Sequence, residues 1–340
     1  MIRICKIAAR PMSLLFPIFA STVICLAMAT QLRAADRVRV GLSALSLANS
    51  PLWVAEERGL FKKNGIEAEI ILVGGGASRS VSSLLAGDLQ FATTGGGAAI
   101  SAALGGADVV MIAAGNNKGV QRLMVRPDIK TPEAIKAKRI GVTGLGSSGH
   151  LALLLMLRKW GIAAEEIQIL QVGASPVMVI SLQKGGLDGA MLQDPSFFVA
   201  EDAGFKTLGD PAAMDIHYLQ NVIAATRGYL RANRDLTGRF IRGFVEGIAY
   251  YKKNKDESIK ILMKKMRIER GNEGYLVRSY QLYAAQYIDN VPYPSIAGVK
   301  TILEFLAKDN AKARGADPNA FVDPSFVKAL DDSGFIKALY

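Results

Sequence analysis

The chain has 340 residues, of which 50% are hydrophobic, and a formal net charge of +11 at pH 7. Its positive charges are dispersed, and the densest run, residues 252–265, also contains acidic residues at helical spacing, so a nucleic-acid-binding face is not expected. The two cysteines, Cys5 and Cys25, both fall within the first 35 residues. If that segment is removed, disulfides, thiolate catalysis and cysteine metal sites are excluded together.

Residues 1–35 predict a cleaved secretion signal: a basic start, an apolar run over residues 12–29, and small residues such as Ala34 before charge begins at Asp36. The alternative is a membrane anchor, because the apolar run approaches the ~20 residues of a spanning helix. Ile24 precedes Cys25, where lipid modification requires a small side chain, so lipidation is not expected. We therefore predict an exported, periplasmic protein that starts between residues 30 and 36.

From Arg37 onward, short β-branched runs alternate with glycine- or serine-rich turns and helical stretches, which is typical of βαβ units on a largely parallel sheet. Ser50 and Pro51 form a favourable helix start, because serine can cap the free amides and proline lacks only an N–H that is not needed there. The predicted strands are 38–42, 68–73, 89–93 and 109–113, and the predicted helices are 51–64, 77–86 and 97–104.

A second α/β series follows, and beyond residue 226 apolar spacings of three and four predict amphipathic helices. About 305 residues remain after the signal (340 minus 35), which exceeds one typical core. We predict an α/β fold of two lobes, with lobe 1 formed by 36–117 and 222–340, and lobe 2 by 118–221. The predicted elements are a helix opening at 131–132, a helix at 147–160, and strands at 139–143, 167–172, 187–192, 206–208 and 221–226.

No motif demands catalysis or a cofactor. His150 and His217 are far apart in the sequence, so a zinc site is not expected, and no phosphate loop or nucleophile elbow occurs. Residues 144–149 fit G-x-G-x-x-G after a predicted strand, but the next strand ends at Gly173 and Ala174 instead of the acidic residue that a dinucleotide site needs. Neither enzyme activity nor a cofactor is predicted.

The same glycine-rich turn has a second interpretation. Small residues before a helix let a ligand approach its free N–H groups, which favour anionic or strongly polar oxygens. Comparable turns occur at 74–78 and 93–97. Because all three follow predicted parallel strands, they indicate one crevice at the strand carboxyl ends.

Several motifs together resemble one family. They are SPLWVAEERGLFKKNGIE at 50–67, LLAGDLQFA at 84–92, RIGV at 139–142, and SLQKGGLDGA at 181–190 before Asp194 and Pro195. This combination resembles the nitrate/sulfonate/taurine-type solute-binding proteins of ABC importers, within the thiamine-pyrimidine-synthase-like superfamily.

The resemblance implies a type II periplasmic-binding-protein fold, with two α/β lobes, a ligand crevice between them, and crossings near 115–119 and 221–226. It implies a monomeric receptor that delivers a small-molecule ligand to an ABC permease by hinge closure. The solute class stays open between sulfonates, carboxylates, nitrate and pyrimidine-like compounds. Transport and sensing by a secreted receptor also remain alternatives.

The alternative from another class is an enzyme of the thiamine-pyrimidine-synthase type. Such an enzyme consumes its own histidine and depends on a cysteine-rich iron motif. A mature chain starting near Asp36 has no cysteine, which argues against that chemistry.

The resemblance places ligand-binding residues in the loop after the first strand, at the end of the third strand, in the hinge, and at the helix start of lobe 2. These are Ser43, Ser46, Leu47, Asn49, Thr94, Gly95, Asn116, Thr143, Ser147, Ser148, Gly149 and His150.

From the residues themselves we add Gly76 and Asp194, and an apolar wall of Leu47 and Leu145. Asp194 follows a buried strand, and its carboxylate would favour a ligand with a donor or positive group. The alternative for the serines and for Asp194 is turn formation or helix capping, which the same side chains also perform.

Overall fold

A computed structural model of the chain describes residues 35–74, 76–145, 147–268 and 273–340. The predicted signal segment up to residue 34, and Gly75 and Gly146 of the predicted ligand turns, lie outside these residues. Within the described part, the helices are too short or too polar to cross a bilayer.

The described residues form two five-stranded sheets. The first sheet has the order β2-β1-β3-β10-β4 and the second the order β7-β6-β8-β5-β9. The strands are β1 (Asp36–Leu42), β2 (Ile66–Leu72), β3 (Phe91–Thr94), β4 (Val110–Lys118), β5 (Arg122–Val125), β6 (Arg139–Val142), β7 (Gln168–Gln171), β8 (Gly189–Leu192), β9 (Lys206–Gly209) and β10 (His217–Ala225).

One strand in each sheet runs against the others. In the first sheet β1 is parallel to β2 and β3, whereas β10 is antiparallel to β3 and β4. In the second sheet β6 is parallel to β7 and β8, whereas β5 is antiparallel to β8 and β9. The chain passes from the first sheet to the second between β4 and β5, and returns between β9 and β10. The two lobes are named below by their sheets.

Helices flank both sheets. In chain order they are α1 (Ser50–Glu57), α2 (Leu60–Lys63), α3 (Gly76–Leu85), α4 (Gly96–Leu104), α5 (Ser148–Trp160), α6 (Ser175–Gln183), α7 (Ser196–Asp202), α8 (Arg227–Ala232), α9 (Arg234–Lys253), α10 (Lys255–Met266), α11 (Glu273–Leu282), α12 (Ile296–Leu306), α13 (Ser325–Asp332) and α14 (Phe335–Ala338). Short 3-10 turns lie at Leu47–Asn49, Pro132–Ile135, Ala164–Glu166, Ala311–Ala313 and Pro318–Phe321, and a π-helix spans Tyr283–Tyr287.

The sequence predictions differ from this structure in several elements; strand β4, for example, extends to Lys118, five residues past its predicted end. The helix predicted at 51–64 is broken into α1 and α2 at Gly59, whose φ of 66° is left-handed and ends regular helix. The helix predicted at 131–132 is only a 3-10 turn. Strand β5 was not predicted, because its four residues show no alternation. Strand β10 begins four residues before the predicted 221, since its first residues carry no β-branched side chain.

The first lobe is centred on aromatic packing between its sheet and α9. Phe240 lies between two other rings, with ring centroids 4.0 Å from Phe91 and 5.2 Å from Phe61. A Cβ atom at Gly247 would approach the carbonyl oxygen of Pro51 to 2.3 Å, so glycine allows α9 to pack closely against α1. This packing fixes the loop after β1, because that loop runs directly into α1.

Candidate functional site

The carboxyl ends of the parallel strands carry the predicted site residues of both lobes. The relevant loops follow β1, β3, β6 and β8, and such ends share one edge of a sheet. The two lobes also pack together: Leu151 and Leu155 of α5 share an apolar cluster with Leu219 of β10 and Val299 of α12. We use the term interlobe cleft for the region where these strand ends and the π-helix meet.

The loop after β1 is held largely by its own side chains. Ser46 caps the turn Leu47–Asn49, because its Oγ accepts a hydrogen bond from Ala48 N at 3.3 Å. Asn49 is buried; its Nδ2 donates to the carbonyl oxygen of Ala44 at 2.9 Å, and its Oδ1 accepts from Asn221 Nδ2 at 3.2 Å. Asn49 therefore links this loop to β10 and has its amide already engaged.

The other two predicted residues of this loop differ in their surroundings. Ser43 contributes its backbone N–H, which donates to Thr93 Oγ1 at 3.3 Å. Leu47 is buried in the apolar core and does not form an exposed wall.

The turn after β3 is also built from internal contacts. Thr94 is fully buried, and its hydroxyl donates to the carbonyl oxygen of Ala77 at 3.2 Å. Gly95 precedes α4, and a Cβ atom added there would lie 3.9 Å from both Ala77 Cβ and the carbonyl oxygen of Gln220 on β10. Gly76 has a φ of 83° at the start of α3, a conformation that glycine adopts readily. The buried contact of Thr94 and the conformation of Gly76 thus order the turns that follow β3 and β2.

The start of α5 forms the corresponding wall of the second lobe. Ser147 Oγ accepts hydrogen bonds from Thr143 Oγ1 at 2.9 Å and from His150 N at 3.2 Å, so Ser147 caps the helix. Ser148 Oγ accepts from Gln121 Nε2 at 3.0 Å, which ties the helix start to the crossing before β5. Gly149 lies beside Gln121 and Met191.

Two further residues of this region differ in their exposure. His150 is partly buried, and this burial lowers the pKa of its imidazole. Leu145 is 64% exposed in the turn before α5, and its place in an apolar wall stays a prediction.

Asp194 of the second lobe makes a hydrogen bond to the first lobe. Tyr283, in the π-helix of the first lobe, donates its hydroxyl hydrogen to Asp194 Oδ1 at 3.2 Å. Although part of Asp194 stays accessible, the carboxyl group is enclosed by protein, and this loss of hydration raises its pKa to about 6. Hydrogen bonds from the hydroxyls of Tyr283 and Ser279 lower the pKa of Asp194, and the positive charge of Arg122 lowers it to a smaller extent.

Arg122 is the cation whose charge acts on this carboxyl group, and one of its N–H groups is engaged by another acid. Its Nε donates to Asp210 Oδ2 at 3.2 Å, and its guanidinium lies 4.4 Å from the ring centroid of Phe197. Tyr287 lies close to Arg122 and packs edge-to-face on Tyr283, with centroids 5.2 Å apart. Burial raises the pKa of both tyrosines, so both stay protonated donors at neutral pH.

Sequence reasoning missed Arg122, Gln121, Tyr283 and Tyr287 as cleft residues. No local signal marks them, because the tyrosines lie about 90 residues from Asp194 in the chain. The role of the predicted site residues in ligand binding stays a prediction. Several of them already form hydrogen bonds within the protein. In the described residues no cluster of three or more metal-ligating side chains occurs.

Two surface cavities lie away from these contacts. One, of about 270 Å³, lies between α5 and α12 and is lined by Arg158 and His217; the other, of about 350 Å³, lies beside α8 and is lined by Arg227 and Arg231. Neither contains Asp194 or Ser148, so surface concavity alone does not identify the cleft.

Comparison with solved structures defines the class of fold. The periplasmic aliphatic sulphonate binding protein SsuA of Escherichia coli superposes with a TM-score of 0.70 at 20% sequence identity, covering 86% of this chain and 99% of that chain. The predicted fold class is thereby confirmed: the chain has the periplasmic-binding-protein fold, with two sheets in two lobes.

The sequence comparisons identify the family. The model of the family described as NMT1/THI5 like matches residues 48–258, more than half of the chain, so the chain belongs to this family. The taurine-binding periplasmic protein of Escherichia coli (strain K12) is 30% identical over 169 residues, 49% of this chain and 52% of that protein. A candidate binding protein of Brucella abortus (strain 2308) is 27% identical over 239 residues, 69% of this chain and 73% of that protein. The resemblance inferred from the sequence motifs is confirmed.

Proposed function

We propose that the protein is an extracytoplasmic solute-binding receptor of an ABC importer. It takes a small polar or anionic organic solute into the interlobe cleft and delivers it to a membrane permease. The observation that carries this function is the convergence of polar side chains from both lobes, with Tyr283 of the first lobe on Asp194 of the second. Two lobes that close around a solute can bind it, because neither lobe alone supplies all of its polar contacts.

The relatives support this assignment. The two Escherichia coli relatives are named as periplasmic proteins that bind taurine and aliphatic sulphonates, which are small organic solutes with a strongly polar head. The predicted export signal agrees with a periplasmic location. We also propose binding without chemical conversion, which is supported by the naming of these relatives as binding proteins.

Hinge closure is the mechanism that we propose for capture. The lobes are joined through the ends of β4 and β10, which pair antiparallel with Asn116 opposite Asn221. A bend at these two neighbouring strands rotates one sheet against the other with few dihedral changes. Saturating solute should therefore reduce the radius of gyration in small-angle scattering, and an unchanged radius would indicate a rigid pocket.

Native mass spectrometry of protein purified without denaturation tests the function directly, because a retained solute appears as an added mass. A panel of sulfonates, aromatic carboxylates, nitrate and pyrimidines should then contain a compound that shifts the thermal midpoint. At about 100 times its dissociation constant, such a ligand stabilises the folded protein by about 2.7 kcal/mol.

Two variants locate the response. Ser148→Pro introduces a residue that helix starts tolerate. It removes the backbone N–H donor of residue 148 and the hydroxyl oxygen that accepts a hydrogen bond from Gln121. Ser333→Ala alters a serine just after α13, far along the chain from every cleft residue. The first variant should lose the ligand-induced shift and the second should keep it. Equal responses would place the ligand elsewhere.

A further inference from the structure

The surface cavity beside α8, about 350 Å³ in volume, is lined by three arginines. Arg227, Arg231 and Arg234 extend from the start of α8 to the start of α9. Within the part of the chain that the structure describes, none of the three forms an ion pair. Because like charges repel, three guanidinium groups around one concavity indicate an anion that comes from outside the chain.

Arg227 is held in the wall of this cavity by the backbone. It is half-buried, and its guanidinium group donates from Nη1 to the carbonyl oxygen of Val109 at 2.9 Å and from Nη2 to the carbonyl oxygen of Ala320. These contacts use two of the five N–H groups of the guanidinium, and neither carbonyl oxygen carries a full negative charge. Partial withdrawal of an unpaired cation from water is unfavourable, and a bound anion would remove that cost.

Arg234 is also held in place by its neighbours. Its Nη2 donates to Ser325 Oγ at 3.2 Å, and its guanidinium group lies 5.0 Å from the ring centroid of Phe326. Arg234 is the first residue of α9, where the positive end of the helix dipole disfavours a cation. Asp235, the acid of the same helical turn, is paired with Arg239. Arg234 therefore adds positive charge to the cavity at a position where that charge does not stabilise the helix.

The acidic residues near the cavity do not neutralise the arginines. Among the described lining residues Asp323 is the single acid, and its Oδ1 accepts from the backbone N–H of Ser325 at 3.1 Å. Asp108 lies outside the lining and accepts from the backbone N–H of Gly228 at 2.9 Å. Three arginines and one aspartate leave an excess of two positive charges. Guanidinium groups match the oxygens of phosphate in pairs, and a doubly charged phosphate group matches this excess.

We propose that this cavity is a second binding site, separate from the interlobe cleft, which takes a phosphate group as free phosphate or as a phosphomonoester. Val110, which also lines the cavity, begins β4, whereas Asn116 lies toward the other end of that strand, where the chain crosses between the lobes. At about 3.3 Å per residue, the strand separates the two by roughly 20 Å. The bound phosphate would bridge α8 and α9 to the segment that contains Val322, which forms a β-bridge with Met111.

Calorimetric titration of the purified protein with inorganic phosphate, at pH 7.5 and low ionic strength, tests the site. We expect saturable binding, with an affinity that falls as sodium chloride is added, because salt screens the exposed guanidinium groups. Sodium chloride titrated at matched ionic strength in place of phosphate is the control, and it should give no saturable binding.

Two variants locate the phosphate. Arg231→Gln and Arg234→Gln each remove one guanidinium group from an exposed position, and each should weaken phosphate binding about tenfold. Arg39→Gln makes the same change at an exposed arginine of β1, which does not line the cavity, and should leave the affinity unchanged. Circular dichroism checks that each variant is folded. If both cavity variants bind phosphate as tightly as the unmodified protein, the phosphate lies elsewhere and the proposal is wrong.

Vesicles distinguish a lipid source of the phosphate from a soluble one. Phosphatidic acid presents a phosphomonoester at a membrane surface, so the protein is sedimented with phosphatidylcholine vesicles that contain phosphatidic acid and with vesicles of phosphatidylcholine alone. Cosedimentation that requires phosphatidic acid and is lost in Arg231→Gln supports the site with a lipid headgroup as its ligand. Binding of free phosphate without cosedimentation supports the site with a soluble ligand. If neither free phosphate nor the phosphatidic acid vesicles bind, the proposal is overturned, and the proposed function of the interlobe cleft is unaffected.

Discussion

The two lobes share one spatial order of strands and differ in the chemistry of their predicted cleft residues. In each sheet one strand, β1 or β6, pairs in parallel with both of its neighbours, and an antiparallel strand lies next to the edge strand. That antiparallel strand is the last along the chain in the first lobe (β10) and the first in the second lobe (β5). The first lobe contributes hydroxyl and carboxamide groups, from residues such as Ser46, Asn116 and Tyr283. The second lobe contributes the charged groups Asp194 and Arg122. The comparison shows that a shared backbone frame leaves recognition to the loops and strand ends.

Asp194, a charged group of the second lobe, should make the free energy of unfolding depend on pH. The pKa of Asp194 is about 6 in the folded protein against an ordinary value of 3.8. The folded chain therefore binds this proton more tightly than the unfolded chain. Its stabilising contribution is complete below pH 3.8 and is lost as the pH rises through about 6.

The Asp194→Asn variant isolates this effect. At pH 7.5 the variant should have a free energy of unfolding about 3 kcal/mol above that of the unmodified protein, and the difference should vanish as the pH falls toward 4. Tyr283, Tyr287 and Arg122 face the carboxyl group and are unchanged by the substitution. Urea denaturation across this pH range measures the difference; a gain that is independent of pH would show that Asp194 is not the titrating group.

Glycines at two helix starts, one in each lobe, should respond differently to an added methyl group. A Cβ atom at Gly96 would lie 2.4 Å from Leu219 Cβ, whereas at Gly149 its nearest neighbour would be Met191 Cβ at 3.7 Å. Gly96→Ala should therefore lower the free energy of unfolding by about 2 kcal/mol through overpacking of α4 against β10. Gly149→Ala should change it by less than about 0.5 kcal/mol.

Urea denaturation of the two alanine variants at one pH provides the comparison, with each serving as the control for the other. If both variants lose the same free energy of unfolding, the start of α4 is not more tightly packed than the start of α5.

The smallest expected change in stability concerns a contact between the lobes. Arg278 of α11 bonds to Glu201 at 2.8 Å and to Asp202 at 3.0 Å, both in α7, and lies 4.2 Å from the ring centroid of Phe198. Since these ion pairs are exposed, Arg278→Gln should barely alter the melting temperature. It should enlarge the radius of gyration of the ligand-free protein, because it removes a contact that holds the lobes together.

A matched control uses an ion pair within one lobe. Arg37 pairs with Glu67 across β1 and β2 at 2.9 Å. Arg37→Gln should leave the radius of gyration unchanged in the same scattering experiment. If Arg278→Gln also leaves it unchanged, the contact between α7 and α11 does not control the opening of the lobes.

The sequence by itself determined the repeating frame. Strand β1, predicted at 38–42, spans Asp36–Leu42, and helix α5, predicted at 147–160, spans Ser148–Trp160. The family resemblance and the fold class also followed from motifs that are contiguous in the chain. These features are readable because hydrophobic periodicity and capping depend on residues within one turn or one strand of each other.

The tertiary structure alone decided which polar groups meet in the cleft. Tyr283 and Asp194 are 89 residues apart, and their contact requires that the π-helix of one lobe be packed against the end of β8 in the other. Likewise, Asn49 looked like a ligand donor in the sequence, but β10 brings Asn221 to its amide and engages it within the protein. Such pairings depend on how two separately patterned lobes pack together, and that long-range packing leaves no periodic trace in either segment.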